Sequence, residues 1–137
     1  RQMCIRDRWK RIRTSHQGLD AISEFLNTTV VDVSGKNRRK GCLLVNSILE
    51  MEGVDTELHQ QLVDRFNSLE QRLSVCLQEA KVSGTLREDL SVAEGVGYLM
   101  TNIYGLRVAS RTGLSRAEAR QRVQVLIRMI SRSSTQE

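Results

Sequence analysis

Residues 91–111 read SVAEGVGYLMTNIYGLRVASR and carry the strongest helix signal in the chain. Ser91 stands three residues before Glu94, the spacing of a capping box, in which hydroxyl and carboxylate each satisfy a backbone N–H of the first turn. Large apolar side chains then recur at intervals of three and four residues: Val96, Leu99, Ile103 and Leu106. This spacing predicts a helix from Val92 to about Arg111 that buries one face.

A second stripe on the same predicted helix consists of small side chains at every fourth position: Ala93, Gly97, Thr101, Gly105 and Ala109. A glycine inside a helix costs about 1 kcal/mol relative to alanine, so we expect close packing on this stripe to offset the cost. The packing partner is either a second copy of the chain or another helix of the same chain. The sequence favours neither alternative.

The remaining sequence shows the same helical spacing, and it contains no proline, the residue that most often ends a helix. We predict four further helices, over residues 9–30, residues 41–52, Asp55 to Gly84, and from a second Ser-x-x-Glu box at Ser115 and Glu118 to about Ile130. The predicted fold class is therefore all-α, with five helices packed as one bundle-like domain.

The ends of the chain are treated separately from the domain. Residues 1–8 (RQMCIRDR) look like a translated sequencing-adapter scar, so we assign the domain to residues 9–131 and expect a frayed tail over residues 132–137. The 10 Lys and Arg of residues 1–40 outnumber 4 Asp and Glu, whereas residues 41–137 hold 11 and 12. This basic flank lacks interleaved aromatic residues, so a solvated surface is favoured over a DNA-contacting patch.

Composition narrows the function classes. No apolar run approaches the ~18 residues of a membrane-spanning helix, so we expect no membrane partner. Three cysteines at unrelated spacings (Cys4, Cys42 and Cys76) favour a reducing, cytoplasmic location. The two histidines fall in different predicted helices, and no metal-binding or nucleophile motif is present. We therefore predict no metal, no cofactor and no enzymatic activity.

Several polar residues lie among apolar helical positions. Asn46 and Glu50 share one side of their predicted helix, as do Tyr98 and Asn102 of theirs, so the four could line a ligand cavity. Alternatively, each is a satisfied core group or a surface residue. Cys42 follows a basic segment at a predicted helix N-terminus, which favours a reactive thiolate, although a free cysteine often serves as a small buried apolar residue. Cys76 is expected to be purely structural.

Three segments carry a recognisable pattern: residues 39–50 (RKGCLLVNSILE), residues 80–86 (AKVSGTL) at the end of the long helix, and residues 104–113 (YGLRVASRTG). Together they resemble the C-terminal domain of TetR/AcrR-type transcriptional regulators, over roughly residues 10–131. The resemblance implies an all-helical domain that binds a small organic effector and forms a homodimer. Its last two helices would build a four-helix bundle with those of the second copy.

The resemblance also implies site residues. The effector pocket would be lined by Phe25, Cys42, Asn46, Glu50, Phe66, Tyr98 and Asn102, with Cys42 a possible redox or electrophile sensor. The dimer interface would contain Gly97, Thr101, Gly105, Ala109, Val123, Ile127 and Ile130. The helix-turn-helix domain of such regulators is not in this sequence, so operator DNA, as a repressor would require, would be contacted only through that missing part. The alternative is a helical protein–protein interaction module without a small-molecule ligand.

Overall fold

The computed structural model describes residues 4–31 and 56–133. Within these ranges the chain folds into five helices: α1 (Ile5–Arg13), α2 (Gly18–Phe25, continued by a π-helical segment Leu26–Val31), α3 (Thr56–Ser83), α4 (Val92–Arg111) and α5 (Arg116–Ile130). The all-α prediction is confirmed. The predicted helix over residues 41–52 and the predicted helix start at Asp55 lie outside the described residues. In the described part, no helix is long and apolar enough to cross a membrane.

The single helix predicted over residues 9–30 is wrong, because the chain turns between α1 and α2. Gly18 adopts a left-handed backbone conformation, with φ of 54°, that ends helical continuity and is inexpensive only for glycine. Ile12 and Leu19 are nevertheless both buried, so the apolar spacing continues across the turn. The turn lets Trp9 stack on Phe25, with ring centroids 4.5 Å apart. Periodicity alone cannot reveal this break, since both arms keep the same stripe.

The core lies where α2, α3, α4 and α5 meet, and it contains the stripes predicted from the sequence. α3 contributes Leu73, Cys76, Leu77 and Ala80; α4 contributes Leu99, Ile103 and Leu106; α5 contributes Ala119, Val123, Leu126 and Ile130. At about 1.5 Å per residue, the 28 residues of α3 extend roughly 42 Å and form the longest described element. Gly84 follows it with φ of 78°, as predicted for a left-handed helix end.

The two predicted capping boxes differ in the structure. At α4, Ser91 Oγ accepts from the Glu94 backbone N–H, and Glu94 Oε1 accepts from the Ser91 backbone N–H, both at 3.0 Å. At α5, Ser115 Oγ accepts from the Glu118 N–H at 3.1 Å, but its hydroxyl also donates to Glu118 Oε1 at 2.8 Å. The first box is therefore confirmed, whereas the second is a simple serine cap.

The chain beyond α5 is held more firmly than predicted. Ser131 forms an isolated antiparallel bridge with Leu86, Arg132 N donates to Thr85 O at 2.8 Å, and Arg87 N donates to Ile130 O at 2.9 Å. A frayed tail was predicted over residues 132–137, of which residues 134–137 lie outside the described part of the chain. Backbone pairing with the α3–α4 connection, which the sequence does not show, orders its beginning instead.

Candidate functional site

α4 and α5 present a continuous exposed surface, which we call the α4–α5 face. It comprises the exposed residues Gly97, Thr101, Gly105 and Val108 of α4 and Arg122 and Met129 of α5, together with half-buried Val125 of α5. On each helix these positions are spaced by three or four residues, so they share one side. Val108 and Met129 are 45% and 50% exposed, so the face includes two large apolar side chains that contact water. The rest of each helix packs its opposite side into the core.

The glycines of this face have open space in front of them. An added Cβ at Gly97 or Gly105 would meet no described atom within 4 Å. By contrast, Gly95 lies two residues before Gly97 on the buried side, where an added Cβ would come within 2.9 Å of Leu77 Cδ1. The small stripe therefore does not serve close packing against another described helix of the chain.

A groove of about 420 Å³ runs between α4 and α5 on this side. Its lining residues are Thr101, Asn102, Gly105, Leu106, Gln121, Arg122, Val125 and Leu126. The small side chains at positions 101 and 105 make the groove wide, because no bulky group rises between the two helices there. The groove thus belongs to the same surface as the glycine stripe.

The residues predicted for a dimer interface divide into three groups by their exposure. Gly97, Thr101 and Gly105 are exposed on the α4–α5 face, and Ala109 and Ile127 are half-buried against the core. Val123 and Ile130 require correction, because they are 0% and 2% exposed and belong to the chain's own core. α5 packs one side into the core, so only its opposite side faces outward. That outward side carries Arg122, Val125 and Met129.

The residues predicted for an effector pocket do not line one described cavity. Phe25 is 1% exposed and stacks on Trp9, so it is a core residue. Tyr98 donates its hydroxyl to Leu126 O of α5 at 3.4 Å and so links two helices, whereas Asn102 donates to Tyr98 O at 2.8 Å within α4 itself. Asn102 lines the α4–α5 groove as well. Cys42, Asn46 and Glu50 lie outside the described residues.

Phe66, which was predicted to line the effector pocket, contacts an aromatic residue of α4. Its ring meets that of Tyr104 edge to face, with centroids 5.3 Å apart. Burial, with a smaller contribution from the charge of Glu70, raises the pKa of the Tyr104 phenol. The pair therefore forms a half-buried aromatic contact between α3 and α4, and it could border a pocket from that side.

A polar cluster joins α1, α2 and α3. Arg13 Nη1 donates to Glu79 Oε1 at 2.7 Å, Arg13 Nη2 pairs with Glu79 Oε2, and the Gly18 backbone N–H donates to Glu79 Oε1 at 3.0 Å. The Arg13 hydrogen bond holds the pKa of the Glu79 carboxyl below its ordinary value, and the same contact raises the pKa of Arg13. Cys76 is buried beside it, and burial raises the pKa of its thiol, as expected for a structural cysteine.

Sequence reasoning missed two sets of residues. Val108 lies three residues after Gly105, off the four-residue repeat of the small stripe, so it was found only from its exposure in the structure. Arg122, Val125 and Met129 give no signal either, because only the packing of α5 shows which of its sides is buried. Glu79 and Arg13 were missed because they are separated by 66 positions in sequence.

The described residues contain no candidate metal site. No group of three or more His, Cys, Asp or Glu side chains among residues 4–31 and 56–133 is arranged to hold a metal ion. The acidic residues after α3 instead form exposed ion pairs, Asp89 with Arg87 at 2.7 Å and Glu88 with Arg132 at 3.1 Å.

Comparison with known proteins supplies the family. The family described as tetracyclin repressor-like, C-terminal domain matches residues 18–127, from the start of α2 almost to the end of α5. No curated protein and no solved structure gives a significant match. The matched region contains the α4–α5 face except Met129, and most of the core. Because the match covers most of the chain, the chain belongs to the family of tetracyclin repressor-like C-terminal domains, the regulatory part of TetR-family transcription regulators.

Proposed function

We propose that this domain pairs two copies of a bacterial transcriptional regulator through the α4–α5 face and senses a small organic effector. The observation that carries the proposal is the open space in front of Gly97 and Gly105, beside exposed Val108 and Met129. A second copy would place its own α4 and α5 against this face, giving a two-fold symmetric four-helix bundle.

Packing energetics support a second copy as the partner. Each helix glycine destabilises an isolated helix by about 1 kcal/mol relative to alanine, and no described contact within the chain offsets this cost at positions 97 and 105. Close approach of a second helix would bury the backbone there, together with the apolar surface of Val108, Val125 and Met129. The domain alone therefore exposes a surface whose composition suits burial.

Light scattering of Gly105→Leu tests the pairing. Leucine has the higher helix propensity, and open space faces position 105, so we expect the monomer fold to be preserved while a protruding side chain separates the two copies. The wild-type chain should show the mass of a dimer and the variant that of a monomer. Ser68→Leu, at an exposed position of α3, is the matched control and should remain dimeric. An unchanged mass for Gly105→Leu would remove the face from this role.

The effector part of the proposal rests on family membership and on the residues singled out from the sequence. We propose that Cys42, Asn46 and Glu50 border the effector pocket with Phe66, and that the Phe66–Tyr104 pair forms part of one wall. A ligand that binds only the folded state stabilises it by RT ln(1 + [L]/Kd), so thermal unfolding with a panel of apolar small molecules is the test. Saturable stabilisation that Asn46→Leu weakens supports a pocket. A completely flat response would favour the alternative, an interaction module without a small-molecule ligand.

In the intact regulator, we propose that a helix-turn-helix domain joined ahead of this one contacts operator DNA in the cytoplasm and represses transcription. Effector binding would shift the population of domain orientations and so change the spacing of the two recognition helices relative to half-sites about 34 Å apart. The genomic sequence upstream of Trp9 tests this arrangement. A three-helix segment with a helix-turn-helix is expected there.

A further inference from the structure

We propose that α1 is a strap that undocks from the bundle as a unit, and that the carboxylate of Glu79 is the latch holding it closed. The proposal concerns the motion of one helix and does not depend on dimerisation or effector binding. It rests on how few attachments α1 makes, and on where they lie.

The latch gathers its contacts at the turn between α1 and α2. One carboxylate of α3 receives both Nη atoms of Arg13, the last residue of α1, and also the backbone N–H of Gly18, the first residue of α2. Arg13 Nη1 further donates to His16 O at 3.3 Å, inside the turn. A single side chain therefore fixes the end of one helix and the start of the next, at the point where the backbone already departs from helical geometry.

The pair is accessible to water, so it can open without unfolding the core. The side chains of Arg13 and Glu79 are 27% and 31% exposed, whereas the apolar residues beneath them are buried. A partly solvated ion pair of this kind is weakened by salt and can exchange its partners for water.

Only two apolar side chains of α1 are buried, and one of them has a buried N–H group without a described acceptor. Of the nine residues of α1, only Trp9 and Ile12 are buried, and Ile5 is 52% exposed. Besides the latch, Arg8 Nη1 of α1 donates to Thr28 O of the π-helical segment at 2.8 Å, and this bond must also open when α1 undocks. Trp9 Nε1 is buried without a described acceptor, and an unpaired buried N–H disfavours the docked state because water would hydrogen-bond it after undocking. The Trp9–Phe25 stack thus holds α1 less firmly than its burial suggests, which increases the importance of the latch.

Trp9 is the only tryptophan of the chain, so its fluorescence reports the state of α1 directly. We would measure acrylamide quenching of Trp9, because acrylamide is uncharged and its local concentration does not follow the charge of the variants. Glu79→Gln keeps the shape of the side chain but removes its charge, and should raise the population of undocked α1 roughly fivefold, with a matching rise in the opening-dependent part of the quenching. Asp89→Asn, which breaks an exposed ion pair in the α3–α4 connection, is the control and should leave quenching unchanged.

Hydrogen exchange separates undocking from general destabilisation. In Glu79→Gln the amides of α1 should exchange faster while those of α4, around Leu99 and Ile103, keep their wild-type protection. Arg13→Gln should act like Glu79→Gln, and the double variant should exceed either single variant little, since both remove the same interaction. Unchanged Trp9 quenching in Glu79→Gln, or a rise in α4 exchange equal to that in α1, would overturn the proposal.

Discussion

Arg13 and Glu79 form a bidentate ion pair that ties the end of α1 to the C-terminal half of α3, and the same carboxylate accepts the Gly18 N–H. The pair closes a loop of 66 positions in sequence. It also coincides with the turn that divides the first predicted helix into two. The turn between α1 and α2 and the Arg13–Glu79 ion pair therefore lie at the same place in the fold.

The acid stability of the domain should depend on Glu79. Because Arg13 holds the pKa of Glu79 below its ordinary value of 4.5, the pair stabilises the folded state fully above that value. The contribution is lost as the pH falls through the lower, folded-state pKa. Glu79→Gln should therefore be less stable than wild type by about 1 kcal/mol near neutral pH, with solvent screening included, and the difference should shrink below pH 4.5.

Urea unfolding of both proteins between pH 7 and 3 measures this difference. Asp89 and Glu94 also have lowered pKa values, through Arg87 and through the Ser91 backbone N–H respectively. Their effect is common to wild type and variant and cancels in the comparison. A difference that stayed constant to pH 3 would contradict the assignment.

The two serine caps give a matched pair of variants at the same helix position. Ser91→Ala and Ser115→Ala should each destabilise the domain by about 1 kcal/mol, since each removes an acceptor for a first-turn N–H. Glu94→Ala should lower the melting temperature more than Glu118→Ala does, because only Glu94 accepts a backbone N–H. Equal effects of the two glutamate variants in thermal unfolding would show that the reciprocal contact contributes nothing.

The three thiols should differ in reactivity toward a maleimide reagent. Cys4 is exposed and should be labelled quickly, whereas Cys76 is 1% exposed with a thiol pKa raised by burial, so it should be labelled only after unfolding. The labelling rate of Cys42 tests whether its basic neighbours favour the thiolate. If they do, mass spectrometry of timed samples should find Cys42 labelled before Cys4 at mildly acidic pH, and labelling slower than Cys4 would argue against a sensor.

The sequence determined the secondary structure wherever the signal was local. Capping residues define the start of α4, and a glycine marks the end of α3. A spacing of three to four residues defines the buried stripes of α3, α4 and α5. Each of these signals involves residues within a few helical turns of one another. The family assignment also came from short segments, and the match over residues 18–127 confirms it. The small stripe on α4 was visible for the same reason, although its partner was not.

Only the tertiary structure decided which sides of the helices face outward and where the chain turns. Val123 and Ile130 have the apolar character of interface residues, but burial in the chain's own core is a property of how α5 packs, which periodicity cannot distinguish from burial against a second copy. Glu79 accepts a hydrogen bond from Gly18 at the break between α1 and α2, and such long-range contacts leave no trace in the local pattern. Helix formation is set by neighbours in sequence, whereas the exposed surface is set by neighbours in space.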